Sequence, residues 1–193
     1  MAIPTRDKSL GNGLGGQRWR RYADAFDRVE RCASQGYFLE AIAILDSLIG
    51  DRLASRLGHL QGDDSIKVEP IGRLCGALIG YKNAPGVEHD PEFRAVTADI
   101  RVWSETRNDA MHGVARIFRP EDTATSFDAA MNIHGQTVLD GIAVLRRFDR
   151  LDTAARQARK DIPAHKRFPA TWPAAFFPEE RSGTPRPVES DAR

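Results

Sequence analysis

The chain has 193 residues, 41% of them hydrophobic, with 28 Lys and Arg against 27 Asp and Glu, a formal net charge of +1. That is enough apolar chain for one sizeable core and excludes a largely disordered protein, while the balanced charge excludes a globally basic nucleic-acid binder but not a local basic patch. The two cysteines, Cys32 and Cys75, form no CxxC pair, zinc motif or disulfide framework, and neither a signal-peptide-like start nor an apolar run of membrane-spanning length is present, so a cytoplasmic protein is expected.

Residues 1–16 read as a flexible leader. Within them Gly11-Asn12-Gly13-Leu14-Gly15-Gly16 satisfies the GxGxxG spelling. That pattern binds a dinucleotide only between a strand and a helix of a βαβ unit, and no such unit is predicted here. Trp19, Tyr22, Phe26, Val29 and Ala33 then recur at steps of three and four, which predicts a first helix ended by Gln35-Gly36. Phe38, Ile42, Leu45, Ile49, Leu53, Leu57 and Leu60 define a long second helix, its buried face widened by Ala41, Ile44 and Leu48. A third carries Ile71, Leu74, Leu78 and Ile79. Its glycines at 72, 76 and 80 lie four apart. Each glycine weakens a helix by about 1 kcal/mol relative to Ala, so the stripe implies close approach of a neighbour, from this chain or another.

Asp90-Pro91-Glu92 reads as N-cap, N1 and N2 of a fourth helix. It buries Phe93, Val96, Ile100 and Trp103 and ends before Pro120. The fifth, from about Thr125 to Leu151, buries Phe127, Met131, Val138, Ile142, Leu145 and Phe148. His134 falls on its apolar stripe and is expected to be a hydrogen-bonded core histidine, whereas His59, His89 and His165 have no partners at metal-ligand spacing. Six of the eleven prolines fall in residues 153–193, which predicts an extended, basic tail whose Phe168, Trp172, Phe176 and Phe177 dock on the core or on a partner. The expectation is an all-α bundle of about five helices over residues 17–152, acidic in its middle (residues 35–152 carry a net −5), with basic ends.

The chemically informative stretch is Trp103-Ser104-Glu105-Thr106-Arg107-Asn108-Asp109-Ala110-Met111-His112. Arg107 continues the apolar series 93, 96, 100, 103 by a step of four, and a guanidinium there is costly unless it meets a cleft, an interface or an anion. Asn108 and His112 share a helical face. Arg107 and His112 are separated by about 140° around the helix, a gap that the long arginine stem or a second chain would have to close.

Arg107-Asn108-x-x-x-His112, in a helix of an all-α bundle, resembles the R-x4-6-H motif of the HEPN superfamily, which often places a polar residue directly after the arginine. The helix FLEAIAILDSLIGDRLASRL is similar to the early HEPN helix that packs beneath the motif. The resemblance covers roughly residues 17–152. It implies a HEPN-like bundle and a metal-independent endoribonuclease, a toxin or an antiviral-defence effector, that requires no cofactor and acts as a homodimer with both motifs lining one cleft. It also implies that Arg107, Asn108 and His112 are the catalytic residues. Some family members carry a tyrosine shortly after the motif histidine, which an antitoxin modifies. This chain has tyrosines only at 22, 37 and 81, so an antitoxin is expected to act by covering the cleft.

In that reading the RNA 2′-OH attacks the adjacent phosphate. His112 moves protons, since an unperturbed imidazole titrates near pH 6.5, and Arg107 offers a cationic fork to the phosphate oxygens. The alternative is a catalytically silent helical module in which Arg107 and His112 build a dimer or partner interface, which the acidic middle favours. A DNA-binding regulator is weaker, for want of a recognition helix with clustered basic residues.

Overall fold

The computed structural model describes residues 5–6, 14–62, 66–67, 69–113 and 127–159. In chain order these form β1 (Thr5–Arg6), α1 (Leu14–Ser34), α2 (Phe38–Gln61), β2 (Ile66–Lys67), α3 (Ile71–Ile79), β3 (Gly80–Tyr81), β4 (Ala84–Pro85), α4 (Pro91–Gly113) and α5 (Phe127–Ala158). The molecule is all-α, and the strands among the described residues are two-residue pairings: β1 antiparallel to β2 and β3 antiparallel to β4.

The apolar steps read from the sequence become the packed faces. α5 lies against both α2 and α4, α3 bridges the same two helices, and α1 packs on α2. Ile42, Leu45, Ile49 and Leu53 of α2, Phe93, Val96, Ile100 and Trp103 of α4, and Val138, Ile142, Leu145 and Phe148 of α5 are all buried in one core. Phe93 meets Phe148 edge-to-face at 5.5 Å, Arg147 donates to Asp99 at 2.5 Å, and the Trp103 indole donates to the Thr137 carbonyl at 2.8 Å. The pairings ascend α4 while descending α5, so the two helices run antiparallel. Gly141 makes their contact possible, because a Cβ there would stand 2.9 Å from the Trp103 ring.

Caps and ion pairs fix the rest. Asp90 Oδ1 accepts from the amides of Glu92 at 2.8 Å and Phe93 at 3.1 Å, the N-cap arrangement expected of Asp90-Pro91-Glu92. Arg56 of α2 grips Glu88 through Nε at 2.7 Å and Nη2 at 3.1 Å while lying 3.8 Å over the Phe93 ring. Both members are nearly solvent-free, so the pair registers α2 against the start of α4, and removing one partner would leave a buried charge uncompensated. Arg52 and Asp149, 2.6 Å apart, link α2 to α5. Cys32 and Cys75 are free and buried.

Some boundaries differ from the sequence reading. α1 begins at Leu14 inside the expected leader, and Thr5–Arg6 finds a partner in β2. α5 continues past Leu151 to Ala158, since Thr153-Ala154-Ala155-Arg156-Gln157-Ala158 contains neither Gly nor Pro to stop it. His134 is half-buried rather than sealed in the core, with burial holding its imidazole below the ordinary value. The Trp19 and Phe127 side chains and the tail beyond Arg159 lie outside the described residues.

Candidate functional site

α4 carries Arg107, Asn108 and His112 in its last two turns, and Arg107 faces surroundings different from those of the other two. Arg107 occupies the apolar stripe, one turn beyond Trp103, and leans toward α2. Its Nη2 stands 2.5 Å from Oδ1 of Asp46, and its Nη1 donates to Asn108 Oδ1 at 2.5 Å. Its Nε is buried without a hydrogen-bond acceptor among the described residues. The side chain is 17% exposed and that of Asp46 37%, so this ion pair straddles the edge of the core. The anion needed by an arginine on an apolar stripe is therefore supplied within the chain.

Asn108 and His112 are exposed and share the solvent face of α4. The Arg107–Asn108 hydrogen bond links the half-buried guanidinium to that face. His112 sits about 7.5 Å farther along the axis and about 140° round from Arg107. One chain therefore brings Arg107 to Asn108 and aligns Asn108 with His112, but it does not stack Arg107 on His112. Residues 114–126, which follow the motif, lie outside the described residues.

Asp46 was not singled out from the sequence, although its position carried a signal. It is four residues after Ile42 and three before Ile49, a carboxylate beside the buried seam of α2. A carboxylate at an apolar edge of one helix and a guanidinium at an apolar edge of another are natural partners once the two helices pack.

The glycine stripe also resolves within the chain. A Cβ on Gly76 would fall 1.8 Å from the Tyr81 ring, so the close neighbour of α3 is this chain's own tyrosine. A Cβ on Gly72 would meet nothing among the described residues within 4 Å.

Comparison with family models, with curated proteins and with solved structures finds no match to the chain. No helix among the described residues is long and apolar enough to cross a membrane.

Proposed function

We propose that the chain is a metal-independent endoribonuclease of HEPN type, a toxin or antiviral-defence effector of the cytoplasm, working as a homodimer or under a cognate inhibitor. The observation that carries this reading is the joining of a cation, an amide and an exposed imidazole at one end of one helix, through the Arg107–Asn108 hydrogen bond and the shared face of Asn108 and His112.

The RNA provides its own nucleophile. Its 2′-OH attacks the adjacent phosphorus and the 5′-oxygen leaves, giving a 2′,3′-cyclic phosphate and a free 5′-hydroxyl. His112 takes the proton from the 2′-OH or delivers one to the leaving oxygen, and a second protomer supplies the complementary imidazole. Arg107 faces the charge that grows on the non-bridging oxygens. To do so it trades Asp46 for phosphate. A phosphodiester that displaces the carboxylate keeps an anion against the guanidinium, so the arginine's charge stays compensated. Asn108 orients the guanidinium as it moves.

The test is cleavage of varied RNAs in EDTA. His112→Ala lowers the rate by about 10²–10⁴, the usual effect of losing a general acid–base group. Arg107→Ala is similarly impaired, and Arg107→Lys rescues poorly because a point charge lacks the fork. Cleavage that survives His112→Ala, or that vanishes with EDTA, removes this mechanism.

The second reading, a silent helical module, is favoured by the same Arg107–Asp46 pair, since an arginine already neutralised within its own chain serves as structure. A folded protein that cleaves no RNA yet retains a partner through this surface would decide for it.

A further inference from the structure

The β3–β4 hairpin, which joins α3 to α4, frames a cleft of about 570 Å³ lined by Tyr81, Lys82, Asn83, Pro85, His89 and Arg94, among others. No carboxylate among the described residues lines it. The acidic groups nearest in the chain are committed elsewhere: Glu88 turns inward to Arg56, and Asp90 caps α4. Arg94 differs from the paired arginines of the bundle. Its Nη1 donates to the Glu88 carbonyl at 2.9 Å and its Nη2 to the Ile79 carbonyl at 3.2 Å. Those bonds hold the guanidinium in place without cancelling its charge, and each terminal nitrogen keeps a second N–H. Lys82, at the turn, and His89, just before α4, add two more cationic or titratable groups.

Tyr81 is the second feature. It is 57% exposed, yet it is not a loose surface ring. One side of it lies against Gly76, where a Cβ would overlap the ring, and its hydroxyl reaches the carbonyls of Gly72 at 3.3 Å and Arg73 at 3.4 Å. The cost of ordering the ring is met within the fold, which leaves an oriented aromatic surface toward solvent beside three basic groups. An aromatic platform next to a held guanidinium and further basic side chains is the arrangement that takes up a base and its phosphate together.

We infer that this cleft binds a nucleoside phosphate, with the base stacked on Tyr81 and the phosphate held by Arg94, Lys82 and His89. The ligand is either a free mononucleotide or one nucleotide of a single-stranded RNA. The site lies at the opposite end of α4 from His112 and does not depend on the ribonuclease reading.

Binding is measured with the full-length His112→Ala protein, so that RNA is not consumed, using AMP, a fluorescent eight-nucleotide RNA and inorganic phosphate as probes. AMP or the RNA binds more tightly than inorganic phosphate, and which of the two binds better identifies the source of the nucleotide. Lys82→Glu, at an exposed turn, weakens binding by about five-fold. Tyr81→Leu weakens it by about five-fold or more through lost stacking. Gly76→Ala does likewise without removing any group that touches the ligand, because it displaces the ring. Circular dichroism confirms that each variant is folded. If no probe binds, or binding is indifferent to both Lys82→Glu and Tyr81→Leu, the proposal fails. Equal affinity for inorganic phosphate and AMP would overturn the stacking role of Tyr81.

Discussion

Arg107 draws its meaning from Asp46. A guanidinium beside a buried helical seam needs an anion, and α2 supplies one at 2.5 Å. Because Asp46 Oδ1 and Arg107 Nε are both buried, Asp46→Asn is expected to destabilise by about 1–3 kcal/mol, measured by chemical denaturation. In the ribonuclease reading the same substitution frees the fork and raises RNA cleavage, whereas Arg107→Ala abolishes it. Asp149 poses a different problem. It is almost fully buried, and burial pushes its carboxyl up to about 7 despite the opposing attraction of Arg52, with Asp152 and Asp51 adding smaller upward effects. The native state then holds this proton where the unfolded chain, near the ordinary 3.8, has released it. Stability from this group is complete below about pH 4 and is lost as pH rises toward 7. Between pH 5.5 and 7.5 the wild type should lose on the order of 1–2 kcal/mol that Asp149→Asn does not, read from denaturation midpoints at the two pH values. A parallel decline in the variant would assign the pH dependence elsewhere.

At the level of the elements, glycines decide how closely helices approach, and each has its own reason. At Gly141 a Cβ would stand 2.9 Å from the Trp103 indole, which is itself fixed by its bond to the Thr137 carbonyl. Gly141→Ala must push α4 and α5 apart or turn the indole, and overpacking of this kind costs about 1–3 kcal/mol, more than the helix propensity gained. Gly72 of α3 faces open space, so Gly72→Ala should stabilise by up to about 1 kcal/mol. Thermal denaturation of the two variants side by side reads this opposition, and equal effects would contradict the packing described here. The same reasoning links the α3 stripe to the hairpin: Gly76 makes room for Tyr81, and Tyr81 closes the hairpin back onto α3.

For the whole molecule, a core shared by α2, α4 and α5 with α1 and α3 at its sides leaves little for sheet to do. Far-UV circular dichroism should be dominated by helix, and a substantial strand signal would contradict the fold. Assembly follows from the functional proposal. With Arg107 and His112 on different faces of one helix, a composite cleft needs a second motif, so light scattering at micromolar concentration should give a dimer, or the protein should co-purify with an inhibitor. A lone monomer without a partner would count against the ribonuclease reading and leave the hairpin cleft untouched.

The five helices of the described residues, the cap at Asp90 and most of the core were legible in the sequence, because apolar residues at steps of three and four must share a face whatever they pack against. The placement of Arg107 on such a face was legible for the same reason, as was its need for an anion. Its partner was not. Asp46 lies 61 residues earlier in the chain, and only the packing of α2 beside α4 turns two separate charges into a pair. The glycine stripe likewise announced a close neighbour without naming it, since a local period says nothing about which ring will occupy the space. Glu88 beneath Arg56, Tyr81 on Gly76 and Asp149 beside Arg52 are tertiary facts of the same kind. Periodicity is a property of the chain, whereas charge pairing and close approach depend on which faces the folded chain brings together.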